Sequence, residues 1–459
     1  MDFIPPFCID WTGYTKAEVM KRNLHNDSLA SLDGPVAILG DGISGRAAQK
    51  LLHAKGRVAD LFDEKNRIFT ESHAQHYSFI VQSPGFRPDH AWLKLAVDQN
   101  IPVFSEVDLG LSYSDHLKVV AITGTNGKTS LTSILGHITK RLNMDSIVLG
   151  NIGVPISDGV AGGSVRKKII FHETSSFQSL TSRSFYPDAV LWTNFSSDHL
   201  DYHRSDREYF MAKLKLADNC AHSENVMIGS SVCAFAQKFG IKLNPKFQVI
   251  EALTCRDLPG NVANFHKSIP QLENLAFAVH WAEQQGIAKA EFFEALQGYQ
   301  PHPHRLHKVT TINGVSFWND SKSTNFASAL AACKTFSNPV IWIGGGKSKG
   351  EETEKFCAHL HPFLQSAFLI GETAEELAAK LALRGMKAEV FDNLKSAVLR
   401  AYKFAKGYVD VLFSPGFASF DMFSNYIERG NSYESIVFDL KSACQVTTKL
   451  PVNNLHASY

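Results

Sequence analysis

No stretch of the chain is apolar for long enough to span a bilayer, and no CxxC pair occurs. The first absence argues against helical membrane proteins, and the second against zinc ribbons and dithiol redox motifs. The seven cysteines (Cys8, Cys220, Cys233, Cys255, Cys333, Cys357 and Cys444) are odd in number and scattered. They fit a reduced cytoplasmic compartment better than a disulfide framework. Net charge is also lacking. Forty-six basic residues stand against 45 acidic ones, a balance of +1 that supports neither a nucleic-acid nor a membrane-surface partner. There is no internal repeat and no low-complexity tract. Residues 1–34 carry polar and acidic residues throughout, without a long apolar core, and read as a short extension rather than a secretory leader. What is present is a chain of 459 residues, 44% hydrophobic and 20% charged, enough for two to four domains with sizeable cores.

Strand-like runs alternate with helical patterns, which argues a parallel α/β architecture. The first unit reads as strands at Pro35–Leu39, Val58–Phe62, Phe79–Val81 and Ile101–Phe104, with a helix to about Lys55. A second begins near Leu117 and continues through Ser146–Leu149, Lys168–Phe171 and Ala189–Trp192 to a helix over Asp206–Ala221. A third begins near His307 with a hairpin over Thr310–Trp318, turning at Asn313-Gly314. Strands at Pro339–Ile343, Ala367–Ile370 and Val409–Phe413 follow. The simplest reading is three α/β domains after the extension, over 35–114, 115–306 and 307–459.

The most informative segment is Gly124-Thr125-Asn126-Gly127-Lys128-Thr129-Ser130, which follows the apolar run Val119–Ile122 and opens a helical pattern. Backbone N–H groups of such a loop, with the positive end of the helix dipole, suit a polyphosphate. Lys128 can reach terminal phosphates and the Thr129 hydroxyl can ligate Mg²⁺. Upstream, Gly40-x-Gly42-x-x-Gly45 follows a strand, opens a helix, and has Asp63 at the end of the next strand. This fits a diphosphate-linked nucleoside, and the residues alone do not separate a nicotinamide cofactor from a nucleotide sugar.

Other strand ends also carry polar residues. Glu173 follows Lys168–Phe171 at the ligand edge of a parallel sheet, where a carboxylate can hold Mg²⁺. Asp198 and His199 follow the next strand. Lys213 falls on the apolar face of its helix with Tyr209, Phe210, Leu216 and Ala217. Burial lowers a lysine pKa, and a neutral amine can take up carbon dioxide as a carbamate; pattern alone favours a snorkelling side chain. His302-Pro303-His304-Arg305-Leu306-His307 is a poor metal motif, because Pro303 and an extended chain do not give helical His spacing. Arg305 is better used on a phosphate. Asn319 to Asn325, Gly344 to Gly350 and Ser414 to Ser419 are further strand-end loops, the first dense in polar groups.

Taken together and in this order, these motifs resemble the Mur ligases, the ATP-dependent amino-acid ligases of peptidoglycan precursor synthesis. The resemblance covers about residues 35–435. Ser175-Ser176-Phe177-Gln178, Asn319 to Asn325 and Ser419-x-Asp421-x-Phe423 select the D-glutamate-adding type. It implies a Rossmann-like N-terminal domain, a central P-loop ATPase-like parallel-sheet domain and a C-terminal Rossmann-like domain. It further implies a monomeric cytoplasmic enzyme joining D-glutamate to UDP-N-acetylmuramoyl-L-alanine through an acyl phosphate, with ATP and two Mg²⁺ ions.

By the same resemblance, Gly42, Ile43, Ser44, Asp63, Ser83 and Asn151 would hold the UDP-sugar. Gly124 to Ser130, Asn274, Arg305 and Asp320 would bind ATP. Thr129 and Glu173 would hold one Mg²⁺, and His199 with a carbamylated Lys213 the other. Lys322, Thr324, Ser419 and Tyr426 would place the glutamate, with a lysine from Lys347-Ser348-Lys349, ungapped matching favouring Lys349. Lys128, Glu173, His199, Lys213 and Lys322 would be the catalytic set. The chain departs from the family at Pro270-Gln271, where His-Asn is frequent, and at Tyr426, where phenylalanine is common. The competing readings are a ligase for another amino acid, an NAD-linked oxidoreductase and a silent nucleotide-binding regulator.

Overall fold

The computed structural model describes residues 29–114, 118–151, 153–165, 168–260, 262, 268–350 and 352–447. Most of the expected N-terminal extension, residues 1–28, lies outside the described residues, as does the start of the expected central domain at 115–117. The described chain folds as two compact units. The first holds the described residues up to Phe195, with Arg207–Ala252 and Glu273–Gln297. The second holds Ser196–Asp206, the described part of Leu253–Leu272, and the described residues from Gly298 onward.

Two sheets lie in the first unit. One is four-stranded and parallel, built from β1 (Val36–Leu39), β2 (Ala59–Phe62), β3 (Phe79–Gln82) and β4 (Val103–Ser105) in the order β2-β1-β3-β4. Leu39 is in register with both Phe62 and Gln82, so these strand ends form one edge. The next strands are β5 (Lys118–Thr123), β6 (Ser146–Gly150), β7 (Ile169–Glu173), β8 (Ala189–Trp192), β9 (Val226–Gly229) and β10 (Gln248–Ile250). They make a six-stranded parallel sheet in the order β10-β9-β8-β5-β7-β6. Its central strands are apolar on both faces because both faces are covered: Val120, Ala121, Ile122, Ile170 and Leu191 are fully buried.

The second unit holds β11 (His307–Ile312), β12 (Val315–Asn319), β13 (Val340–Gly344), β14 (Leu364–Ile370), β15 (Ala388–Phe391) and β16 (Val409–Phe413). The order is β11-β12-β16-β13-β14-β15, and only β11 runs antiparallel to its neighbour. The β11–β12 turn has positive φ at Asn313 (48°) and Gly314 (86°), the conformation an Asn-Gly pair favours in a two-residue hairpin.

Three expectations need correction. The strand expected to stop at Phe171 continues through Glu173, so the acid is part of β7. The segment before His307 is a turn and not extended, with His304 and Leu306 at φ 61° and 47°. The helix expected to reach Ala221 ends at Asp218. Strands β9, β10 and β15 were not apparent from the sequence; all three are short, and β10 and β15 are edge strands.

Candidate active site

In the first sheet the residues expected at a diphosphate gather at the C-terminal strand edge, where β1 lies between β2 and β3. The helix Ile43–Ala54 starts directly after this edge with Gly42 as its N-cap. Gly45 lets that helix approach the strand, since a Cβ there would lie 1.8 Å from the Gly40 carbonyl oxygen. Ser83 Oγ donates to the same carbonyl, at 3.3 Å. Ile43 is 77% exposed, an apolar side chain presented at the edge. Asp63 lies in a turn: its Oδ1 accepts from Lys65 N at 3.0 Å, and its backbone bridges to Arg67.

The phosphate loop runs from the end of β5 into the helix Lys128–Arg141. Gly127 is its N-cap in the left-handed region (φ 85°), and a Cβ there would meet Asn274 Oδ1 at 2.4 Å. Lys128 Nζ donates to the carbonyls of Gly124 (2.7 Å) and Thr125 (2.9 Å). Lys213, 1% exposed, donates to Gly124 O at 2.9 Å and Thr123 Oγ1 at 3.3 Å, and lies over the Tyr209 ring. The snorkelling alternative is thereby corrected: this ammonium group points under the loop, not to solvent.

Glu173 is in register with Ile122 of β5, beside the loop, and is 2% exposed. Its Oε1 accepts from Asn151 Nδ2 at 3.3 Å, while its Oε2 is buried with no protein partner among the described residues. An ionised oxygen left so is costly unless a cation completes it, and with the Thr129 hydroxyl it suits a Mg²⁺ carried by a nucleotide. Asn151, expected at the sugar, therefore also orients this carboxylate. Among the described residues no group of three or more His, Cys, Asp and Glu side chains is gathered for a metal.

The second unit holds the other expected residues. Asp320 Oδ1 accepts from Leu306 N (3.0 Å) and Oδ2 from Ser414 Oγ (2.7 Å). Burial pushes its pKa up to about 7, with those bonds and the charges of Arg305 and Arg429 pulling the other way. Lys322 Nζ lies 4.0 Å from the centre of the Tyr426 ring. Asp198 accepts from Lys349 Nζ (2.7 Å), Asn325 Nδ2 (2.9 Å) and the His199 N–H (2.8 Å). Burial raises its pKa, but the charges of His199 and Lys349 outweigh this and hold it well below the usual carboxylate range. Lys349 is 12% exposed and pairs inward, whereas Lys347 is exposed.

Sequence reasoning gave no role to Arg429. It is 1% exposed and donates to Ser321 Oγ (3.1 Å), Ser321 O (2.9 Å) and Phe417 O (3.0 Å). It thereby ties the loop after β12 to the loop after β16. Lys128, Thr129, Glu173, Asn151, Lys213 and Asn274 thus belong to the first unit, and Asp198, His199, Arg305, Asp320, Lys322, Thr324, Lys349, Ser419 and Tyr426 to the second.

A phosphate loop at the centre of a parallel sheet, with a strand-end acid beside it, defines a nucleotide-triphosphate-using α/β enzyme. Residues 122–248 match the model of the Mur ligase middle domain, and residues 304–416 that of the Mur ligase glutamate ligase domain. Relatives named UDP-N-acetylmuramoylalanine--D-glutamate ligase include one from Caldicellulosiruptor saccharolyticus, 31% identical over 88% of this chain and 98% of its own. Another, from Lawsonia intracellularis, is 30% identical over 90% of this chain and 97% of its own. Among solved structures, UDP-N-acetylmuramate-alanine ligase from Thermotoga maritima shares the fold at TM-score 0.55 and 16% identity, covering 90% of this chain and all of that one. A MurF ligase from the same organism, in complex with ADP, aligns at TM-score 0.52 and 15% identity, over 82% of this chain and 91% of its own. The chain belongs to the Mur ligase family.

Proposed function

We propose that the chain joins D-glutamate to UDP-N-acetylmuramoyl-L-alanine with consumption of ATP, in peptidoglycan precursor synthesis. The observation that carries the ATP-dependent step is the buried, half-satisfied carboxylate of Glu173 beside the Gly124–Thr129 loop. The amino-acid choice rests on the similarity to D-glutamate ligases over most of the chain. We read 35–114 as the UDP-sugar domain, 115–306 as the ATP domain and 307–459 as the amino-acid domain of a cytoplasmic monomer. Among the described residues no helix is long and apolar enough to cross a membrane.

A carboxylate is a poor acyl donor because oxide is a poor leaving group. Transfer of the γ-phosphoryl group of ATP to the alanyl carboxylate gives an acyl phosphate. The glutamate amine, having lost its proton, then attacks the carbonyl carbon; phosphate leaves and the amide forms. Lys128 would exchange its two loop carbonyls for phosphate oxygens. Thr129 and Glu173 would hold one Mg²⁺, and His199 with a carbamylated Lys213 a second; bound there, the ions would offset negative charge on the phosphate oxygens. Asn274, Arg305 and Asp320 would hold the nucleotide. Lys349, Lys322, Thr324, Ser419 and Tyr426 would hold the two carboxylates of glutamate.

Phosphate release from ATP, Mg²⁺, bicarbonate and UDP-N-acetylmuramoyl-L-alanine should require D-glutamate in a panel of amino acids. Equal release with L-glutamate, or release with another amino acid alone, would overturn the substrate assignment.

A further inference from the structure

Two buried acids, Glu106 and Asp108, open the helix Glu106–Ser112 that follows β4. Asp108 caps its own helix through Ser105 and accepts from Arg183 N (3.0 Å) and Ser184 N (2.9 Å). Glu106 reaches elsewhere. Its Oε1 accepts from Ser157 N at 2.7 Å, 51 positions away, and Ser157 Oγ donates back to Glu106 O at 3.1 Å. Its Oε2 is buried with no partner among the described residues. A buried carboxyl oxygen left unpaired is costly, so a side chain placed there for packing alone would be better apolar.

The contact supplies a missing cap. Ser157 is the second residue of the helix Ile156–Ala161, whose first N–H groups have no partner within the helix. Its N-cap is Pro155, which makes no side-chain cap bond. Glu106 takes over that task from another element, and an acid suits the positive end of a helix. Gly110 allows the approach: a Cβ there would lie 2.6 Å from Ile156 Cγ2 and 3.0 Å from Ser157 N.

The helix so capped ends the loop that carries Asn151. Near its start, Gly150 N donates to Val154 O at 2.9 Å and Asn151 N to Glu173 O at 2.8 Å. Asn151 Nδ2 donates to Glu173 Oε1 at 3.3 Å. One end of the loop is thus pinned to β7, and the other runs through Pro155 into the turn held by Glu106. We propose that Glu106 is a positioning residue for this loop: by capping Ser157 it fixes the loop's far end, and through it sets Asn151 between the UDP-sugar and Glu173. This rests on the reading of Asn151 as a sugar contact and of the chain as a UDP-sugar ligase.

Burial pushes the Glu106 pKa up to about 7, with the Ser157 bonds opposing the rise and Asp108 and Asp158 adding to it. Glutamine copies the protonated form, offering one carbonyl acceptor.

The test uses the full chain with Glu106→Gln, Glu106→Leu, Asn151→Ala, and Asn151→Ala with Glu106→Leu. KM for UDP-N-acetylmuramoyl-L-alanine, KM for D-glutamate and kcat are read by phosphate release, and thermal midpoints report folding. Glu106→Gln keeps the acceptor for Ser157 N and should stay within about threefold of the parent. Glu106→Leu removes it and should raise KM for the sugar about tenfold, the scale of one hydrogen bond to a charged group, with KM for D-glutamate within about twofold. Asn151→Ala should raise the same constant. Adding Glu106→Leu should then raise it by no more than about twofold, since a residue acting through Asn151 has nothing left to position. A merely structural Glu106 would give effects that multiply. A folded Glu106→Leu protein with unchanged KM for the sugar, or multiplying effects in the double variant, overturns the proposal. If Glu106→Leu does not fold, Glu106→Asp, which keeps the charge but shortens the reach, takes its place against the same outcomes. A parent chain without turnover of UDP-N-acetylmuramoyl-L-alanine refutes the ligase reading too. An active parent that responds to Asn151→Ala but not to Glu106→Leu refutes this inference only.

Discussion

Replacing Lys349 with methionine should destabilise the second unit in a pH-dependent way. The Asp198 side chain is 4% exposed and its cationic partner 12% exposed, so the pair is effectively out of water. Breaking a buried pair by removing one partner costs about 3–5 kcal/mol. Asn325 Nδ2 and the His199 N–H still donate to the orphaned carboxylate, which places the expected loss near the low end, about 3 kcal/mol. For a unit of this size that lowers the thermal midpoint by roughly 6–12 °C. Asp198→Asn with Lys349→Met should recover part of the loss, with a coupling of about 2 kcal/mol in a double-mutant cycle. In the parent protein the depressed Asp198 pKa contributes stability that is present above the ordinary carboxylate range and lost as pH falls through the folded value. Without Lys349, burial drives that pKa upward, and protonation then removes the buried charge. The Lys349→Met penalty should therefore be largest near pH 7 and shrink as pH falls toward 4. Urea titrations of both proteins across that range would refute the reasoning if the penalty at pH 7 were below about 0.5 kcal/mol, or if it grew on acidification.

Three other outcomes are expected. Gly45→Ala sets a Cβ 1.8 Å from the Gly40 carbonyl oxygen, so it should raise KM for the UDP-sugar and lower the thermal midpoint, while KM for ATP changes little. Tyr426→Phe keeps the ring under Lys322 and should leave KM for D-glutamate within about threefold; Tyr426→Ala loses the cation–π contact, worth about 0.5–2 kcal/mol, and should raise it roughly 3- to 30-fold. Asp320 is pushed up to about 7, so it loses an acceptor below that pH. KM for ATP should rise as pH falls from 8 to 6, and Asp320→Asn should abolish that dependence; a parent profile flat over this range would argue against Asp320 as a nucleotide contact.

Much of the architecture was legible because it is written in local pattern. Val119–Ile122 running into Gly124 and Lys128 announces strand, loop and helix together, and Asn313-Gly314 announces its hairpin. β10 and β15 were not legible. They are short outer strands whose residues, such as the exposed Val249 and Val390, lack the run of buried apolar residues that marks β5. At the site, residue types and order gave the candidates, but their pairings are long-range. The sequence contains nothing local to say that Lys349 meets Asp198, 151 positions away, or that Asn151 steadies Glu173. Arg429 was hidden for a related reason: a buried guanidinium that clamps two loops looks in sequence like any arginine in the first turn of a helix.

The most direct test of the central claim is mass spectrometry of both products from a single incubation. The substrates are ATP, D-glutamate and UDP-N-acetylmuramoyl-L-alanine carrying ¹⁸O in its terminal carboxylate. The account predicts the sugar substrate extended by one glutamyl residue, with one ¹⁸O atom transferred to each released phosphate. Absence of the extended product, or product formation with phosphate free of ¹⁸O, would contradict it.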